Sequence, residues 1–333
     1  MLMRFNKEIK RWVSTGLLVV FSSMHAMAST VVPSYMVFAS DPQYPWTPSS
    51  DSGAPETGAQ RDSLSRTLIE AQYSSIAQFR ETVGGAREVP VLINGDMTAF
   101  GHGWQRSTVK EILNETLGGQ YDYGLGNHDY QNNVDDCAFN SCAADSINDY
   151  KDRYWVSGNN IDFYARASGR VKIYYGSLAY SKDIGDVHLV QLNNEPTYAV
   201  KFSAGITSAV SYEITDALDW LERDLMAARA KGRIIILNMH KPDRWQGSAA
   251  QIKRFEKMLS DYKVTAIFAG HYHWRSGYFK EINGVPVYLS GSASEQTYLI
   301  ASFSADGSEL IIERAKNNNW QHRQQVHVTA VRK

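Results

Sequence analysis

Five short apolar runs, each stopped by a residue able to hold a metal ion, organise the chain. Residues 35–40 lead into Asp41-Pro42-Gln43, and 91–93 lead through Asn94 and Gly95 into Asp96. Residues 123–125 lead into Gly126-Asn127-His128-Asp129, 234–237 into Asn238-Met239-His240, and 264–269 into Gly270-His271-Tyr272-His273. Apolar runs of this length, bounded by Gly or Pro, are expected to be buried strands. Their ends would deliver the polar residues to one face. Helical spacing occupies the intervals. Leu64, Leu68, Ile69, Ile76 and Phe79 mark a helix over 61–82, stopped by Gly84-Gly85. Further helices are expected over 105–117, 214–230 and 249–259. Strand and helix in alternation predict a layered α/β fold.

Elsewhere the pattern changes. Residues 47–60, rich in Ser, Gly, Pro and Thr, are expected to form a loop at the rim of a cleft. From about 130 to 170 the periodicity fails, which marks an insertion with one or two short helices near 145–155. Strands over 171–180 and 187–193 are expected to belong to a second sheet. The part from about 277 to 333 is purely β: 278–282 and 285–289 flank Asn283-Gly284, a two-residue hairpin signal, and strands near 296–303, 309–315 and 326–331 follow. No internal repeat is present. Residues 29–333 are expected to form a single domain, since no linker divides them.

The first 28 residues stand apart. Arg4, Lys7, Lys10 and Arg11 precede an apolar stretch over 12–21, and Ala26-Met27-Ala28 offers a small-x-small cleavage site. That is the pattern of a secretory signal peptide, too short to span a bilayer. The mature protein is therefore expected to be periplasmic or secreted, with no membrane span. Its removal takes the formal charge from −1 to −4, a balance without a nucleic-acid footprint. Export also bears on Cys137 and Cys142, the two cysteines of the chain. In an oxidising compartment their spacing favours a small disulfide loop; a half zinc site would need two more ligands than the neighbourhood offers.

The ligand types at the strand ends suit a pair of divalent ions, which needs one carboxylate able to touch both. Asp96 is the candidate bridge. Asp41, Gln43 and one histidine can complete one ion, and Asn127, His240 and another histidine the other. In an extended segment His271 and His273 would share a side and serve neighbouring ions. His128, backed by Asp129, can give a proton to a leaving oxygen, with the carboxylate fixing its tautomer. Such a set suits hydrolysis of a phosphate ester. His102 and the aromatic residues Tyr44, Trp46 and Tyr272 stand next to the ligand stretches and are candidates for substrate contact.

Asp41-x-Gln43, Gly95-Asp96, Gly126-Asn127-His128-Asp129, His240 and Gly270-His271-x-His273 resemble, in order, the five motifs of the calcineurin-like metallophosphoesterase superfamily, over about residues 35–275. The resemblance implies a four-layer α-β-β-α sandwich with two mixed sheets. It implies one metal held by Asp41, Gln43, Asp96 and His273, a second held by Asp96, Asn127, His240 and His271, and His128 as the acid. Gln43 departs from the more frequent histidine, as in the branch with an Asp-Pro-Gln first motif. A neutral amide oxygen makes that site harder, which favours manganese or magnesium, with iron or zinc as alternatives. The expected activity is metal-dependent hydrolysis of a phosphorylated small molecule, nucleotide or lipid headgroup. A phosphodiester is slightly preferred to a phosphomonoester; the alternative of another class is a phospholigand-binding protein with a weakened metal site.

Overall fold

Alternation along the central strands sorts their side chains into two layers. The computed structural model describes residues 32–157, 159–206 and 209–333, so the expected signal peptide lies outside the described residues. In strand Met36–Ala39, Val37 and Ala39 join a core shared with helices Gly58–Thr82 and Gly103–Leu117, while Met36 and Phe38 face the opposite way. Successive side chains of a strand leave from opposite faces. The second face meets a second sheet: Phe38 stacks on Phe268 with ring centroids 3.5 Å apart, amid Leu92, Leu189, Ile236, Tyr288 and Leu299. The outer face of that sheet is covered by helices Leu218–Ala230 and Ala249–Asp261 through Leu221, Leu225, Phe255 and Leu259. Helix, sheet, sheet, helix is the four-layer order expected.

One sheet has six strands, in the order Asn319–Ala330, Glu309–Lys316, Thr297–Phe303, Met36–Ala39, Val91–Ile93, Asp122–Tyr123. The other has seven: Ser276–Ile282, Val285–Ser290, Ala266–Ala269, Ile234–Asn238, Val187–Gln191, Tyr180–Ile184, Asn160–Ile161. Both are mixed. Met36–Ala39, Val91–Ile93 and Asp122–Tyr123 run parallel, as do Val187–Gln191, Ile234–Asn238, Ala266–Ala269 and Val285–Ser290. The carboxyl ends of these parallel strands lie at one edge of the double sheet. Asn283-Gly284 makes the expected hairpin, and both residues have positive φ.

Three expectations need correction. Residues 47–60 are not all loop: Pro48–Ser52 forms a short helix capped by Thr47, whose hydroxyl accepts from the Ser50 N–H. The strand expected over 171–180 is divided at Gly176, whose φ of 121° sets its Cα against the Asp162 backbone, where no side chain fits. The first half, Val171–Gly176, belongs to a third sheet with Tyr164–Ser168, Val210–Ile214 and Val200–Ala204. The helix expected from 214 accordingly starts at Leu218, whose N–H is taken by Asp216 Oδ1. The inserted region thus reaches beyond 170. Its sheet packs with helix Ser141–Tyr154 in a core of its own, including Tyr150, Phe163, Tyr174 and Tyr212. The Cys137–Cys142 disulfide sits at the start of that helix.

Among the remaining histidines, His188 ties the seven-stranded sheet to helix Leu218–Ala230. It is buried, and it donates from Nδ1 to Asp183 (2.6 Å) and from Nε2 to Asp224 (2.9 Å). Asp183 also faces Arg233, and Asp224 accepts from Asn160 and Ser181. Burial opposes the charge on His188, but the two carboxylates outweigh it and raise its pKa. A raised folded pKa stabilises fully below the unfolded value near 6.5, and the benefit is lost as pH rises through the folded value. Asp224→Ala should therefore cost about 3 kcal/mol in urea unfolding at pH 6 and less at pH 9. Equal losses at the two pH values would contradict a charged pair.

Candidate metal centre

Past the ends of the first two parallel strands the chain stays paired. Asp41 N–H donates to Gly95 O, Gln43 N–H to Asp96 O and Ala99 N–H to Tyr44 O, so the loop bearing Asp41 and Gln43 runs along the loop bearing Asp96. The second sheet contributes in the same way. His240 N–H donates to Asn193 O, and Gly270 N–H donates to His240 O. Four of the expected ligands have left-handed backbone: Asp41 (φ 50°), Gln43 (φ 41°), Asp96 (φ 50°) and His271 (φ 73°). Each such residue costs about 1–3 kcal/mol, and strain of this kind gathers at functional sites. The positive φ also corrects one expectation. His271 and His273 do not share the side of an extended segment; the strand ends at Ala269 and the chain turns. Asp41 Oδ2 accepts the His271 N–H (3.0 Å), and a methyl at Gly270 would lie 2.5 Å from that same oxygen.

The turn aims the two imidazoles at different partners. One ring nitrogen of His271, one of His240 and a carboxylate oxygen of Asp96 all lie within 4.8 Å of one another. His240 Nδ1 donates to Asn94 O (2.8 Å), while its Nε2 faces Asp96 Oδ2 (3.0 Å) and Asn127 Oδ1 (3.0 Å). A buried Nε2 between two oxygens requires a positive charge, from a proton or from a metal ion. Burial opposes protonation of His240, but Asp96 and Asp41 outweigh it and raise its pKa to about 9. His271 goes the other way, down to about 4, through burial and the neighbouring His240. His273 Nε2 lies 3.4 Å from Asp41 Oδ1. Beside it Gln43 is buried with neither amide atom hydrogen-bonded, and Asp41 Oδ1 also lacks a hydrogen bond. A buried amide with no partner is costly unless something else coordinates it. The donor set fits divalent ions.

His128 is tied to this cluster by its backbone, since its N–H donates to Asp96 Oδ1 (2.8 Å). Its Nδ1 donates to Ala99 O (2.7 Å), which fixes the tautomer and leaves Nε2 for other work. Asp129 does not do this, contrary to expectation. Its oxygens are taken by the N–H groups of Met97, Thr98 and Gly126 and by the Thr98 hydroxyl, so it clamps the Asp96 loop to the Asn127 loop. Burial and the nearby Asp96 raise its pKa to about 7. His102, the candidate for substrate contact, stands apart from the ligand cluster. It opens helix Gly103–Leu117 and lies against the Cys137–Cys142 disulfide, whose sulfurs are bonded to each other.

Of the aromatic candidates, Tyr44 is buried edge-on to Trp104, and the Tyr272 hydroxyl donates to Asp243. Both are engaged in packing. Trp46 is different: it lies edge-on to both His128 and His273, at centroid distances of 5.5 and 5.9 Å. Its Nε1 donates to Asp51 Oδ1 (2.8 Å), and the same oxygen accepts from His273 Nδ1 (2.6 Å). Asp51 Oδ2 accepts from Ser294 (3.1 Å). Asp51 thus sets the ring of a candidate ligand, a role that the composition of residues 47–60 does not announce. Thr47-Pro48 is an N-cap followed by Pro at the first helical position, the local signal that a helix begins there.

Residues 36–275 match the family profile of the calcineurin-like phosphoesterases. The chain belongs to that family, whose members are phosphoric ester hydrolases. No curated protein sequence matches it significantly. Among solved structures, the fold is similar to TT1561 of Thermus thermophilus, at 11% identity over 86% of this chain and 100% of that one, with a TM-score of 0.43. GAP50, the anchor in the inner membrane complex of Plasmodium, has 12% identity over 90% of this chain and 88% of its own, with a TM-score of 0.49. The sulfate thiohydrolase SoxB of Thermus thermophilus has 12% identity over 89% of this chain and 58% of its own, with a TM-score of 0.46.

Proposed function

We propose that this chain is an exported phosphoric ester hydrolase that works with two divalent metal ions and slightly prefers a phosphodiester. One observation carries the metal dependence: the Gln43 amide is buried with no hydrogen bond, next to Asp41 in sequence but for one residue, and Asp41 Oδ1 has only His273 at 3.4 Å, in a site where His240 Nε2 faces two oxygens. Asp41, Gln43, Asp96 and His273 would hold one ion, and Asp96, Asn127, His240 and His271 the other. Such a pair supplies an activated water and neutralises charge on the phosphoryl group. The neutral amide oxygen of Gln43 favours manganese or magnesium.

The chain's own residues divide the remaining tasks. Asp96 accepts the His128 N–H and so fixes the acid relative to the ligands. The Ala99 carbonyl holds His128 Nδ1, so Nε2 is the atom that gives the proton to the departing oxygen. Asp129 acts by holding the two loops together. Export is supported by the signal pattern of residues 1–28 and by the closed Cys137–Cys142 disulfide, which suits a periplasmic or secreted protein.

Asp96→Asn should abolish manganese-dependent hydrolysis of a chromogenic phosphodiester and of its matching monoester while the circular dichroism spectrum stays unchanged. Full turnover in that variant would sink the two-metal scheme, and a faster wild-type reaction with the monoester would reverse the substrate preference. His128→Ala should keep its manganese, measured by elemental analysis, and lose about 100- to 10,000-fold in kcat. Loss of metal in that variant would make His128 a ligand instead. Asp51→Ala should weaken manganese binding about 10- to 100-fold in calorimetry, because His273 loses its orienting carboxylate. Unchanged affinity would confine Asp51 to a structural role.

A further inference from the structure

Beside the metal centre, and unused by the chemistry above, lies a cleft of about 340 Å³ lined by Trp274, Arg275, Tyr278, Glu295, Arg314 and Lys316 among others. It opens at the same sheet edge. Trp274 and Arg275 directly follow His273, and Ser292, which lies between the cleft's Leu289 and Glu295, donates to the His273 carbonyl. Thr297 and Lys316 face each other across two paired strands and form the opposite wall.

Three features of the cleft point to an anion with a flat group. Three cations stand against one carboxylate, Glu295, and among the described residues none of Arg275, Arg314 and Lys316 forms an ion pair, in a chain that pairs Arg66, Arg106, Arg166, Arg233, Arg254 and Arg323. Arg314 Nε is buried with no acceptor, and its Nη1 reaches the Ser276 carbonyl only at 3.5 Å. An unpartnered buried N–H of a charged group is costly, and an anion would satisfy it. Trp274 is 71% exposed, with the Arg275 guanidinium 5.0 Å from its ring centroid. An indole held in this way presents a π-surface on which another ring can stack. A volume near the lower end of small-molecule sites, about 300–1,000 Å³, suits one compact group and not a protein segment.

We infer that this cleft is a recognition subsite for a planar, negatively charged portion of the substrate, of the kind a nucleoside phosphate carries. The inference rests on the hydrolase assignment and narrows its substrate class. Trp274 stacks on the ring, Arg314 and Lys316 take the second negative charge, and the ester to be cleaved lies toward His273.

The test compares kcat/KM for thymidine 3′-phosphate 5′-p-nitrophenyl phosphate, which carries a base and a second negative charge, with kcat/KM for methyl p-nitrophenyl phosphate, with manganese added. The wild type should favour the nucleoside ester, and Trp274→Ala and Arg314→Gln should each reduce that ratio about tenfold, within the range for stacking of one base. A ratio unaltered in both variants overturns the subsite while the hydrolase assignment stands. If the wild type releases p-nitrophenol from neither diester, it is the phosphodiester preference that fails, and thymidine 5′-monophosphate binding by calorimetry then decides the subsite. Binding to the wild type that is lost in Trp274→Ala upholds it; no binding to the wild type overturns it.

Discussion

The structure depends on how a buried cluster of carboxylates is kept from repelling itself apart. Asp41, Asp96 and Asp129 are all nearly inaccessible, within loops that touch one another. Unpaired buried charge is too costly to leave in place. Each carboxylate is answered differently. Asp129 receives three backbone N–H groups and stays as a clamp, with a raised pKa. Asp96 faces His240, and Asp41 faces His273 and accepts the His271 N–H. The positive partners are imidazoles, the same groups that can exchange a proton for a divalent ion.

Strain is distributed to match. Left-handed backbone at Asp41, Gln43, Asp96 and His271 would collapse in an isolated loop. Here each loop leaves the end of a strand in a double sheet whose shared face is packed by Phe38, Phe268, Tyr288 and Leu299. They are fastened to one another as well, through Asp129 and the pairing of Gln43 with Asp96. The layered core is the anvil against which the site is bent.

These relations explain what is legible in the chain and what is not. Strand ends are written in local pattern, because an apolar run closed by Gly and a polar residue has few other solutions. A layered α/β fold follows from that, as does the nomination of all seven candidate ligands, whereas the order of the four layers is what the motif resemblance implies. The role of Asp129 is hidden because neighbours in sequence need not face each other: the Ala99 carbonyl that holds His128 comes from another loop and has no side-chain signature. The turn at His271 is hidden because its positive φ is imposed by Asp41, 230 residues earlier. The third sheet escapes local pattern for a related reason. Its strands pair at Val210–Ile214 through contacts distant in sequence, and a single glycine, Gly176, passes the chain from one sheet to the next.

Asp51 joins the short helix after the first strand to the candidate centre. The segment from Tyr44 to Glu56 is attached to the Asp96 loop at one end by Tyr44, and its short helix is locked by Thr47 and Ser50, both donating to Glu56. That rigidity places Trp46 and Asp51 together over the centre. Trp46 touches the ring of the candidate acid and the ring of a candidate ligand, and Asp51 holds both Trp46 and His273. This strap therefore links the candidate ligand His273 to the candidate acid His128 by contact through Trp46, while Asp96 and the Ala99 carbonyl hold His128 from the other side.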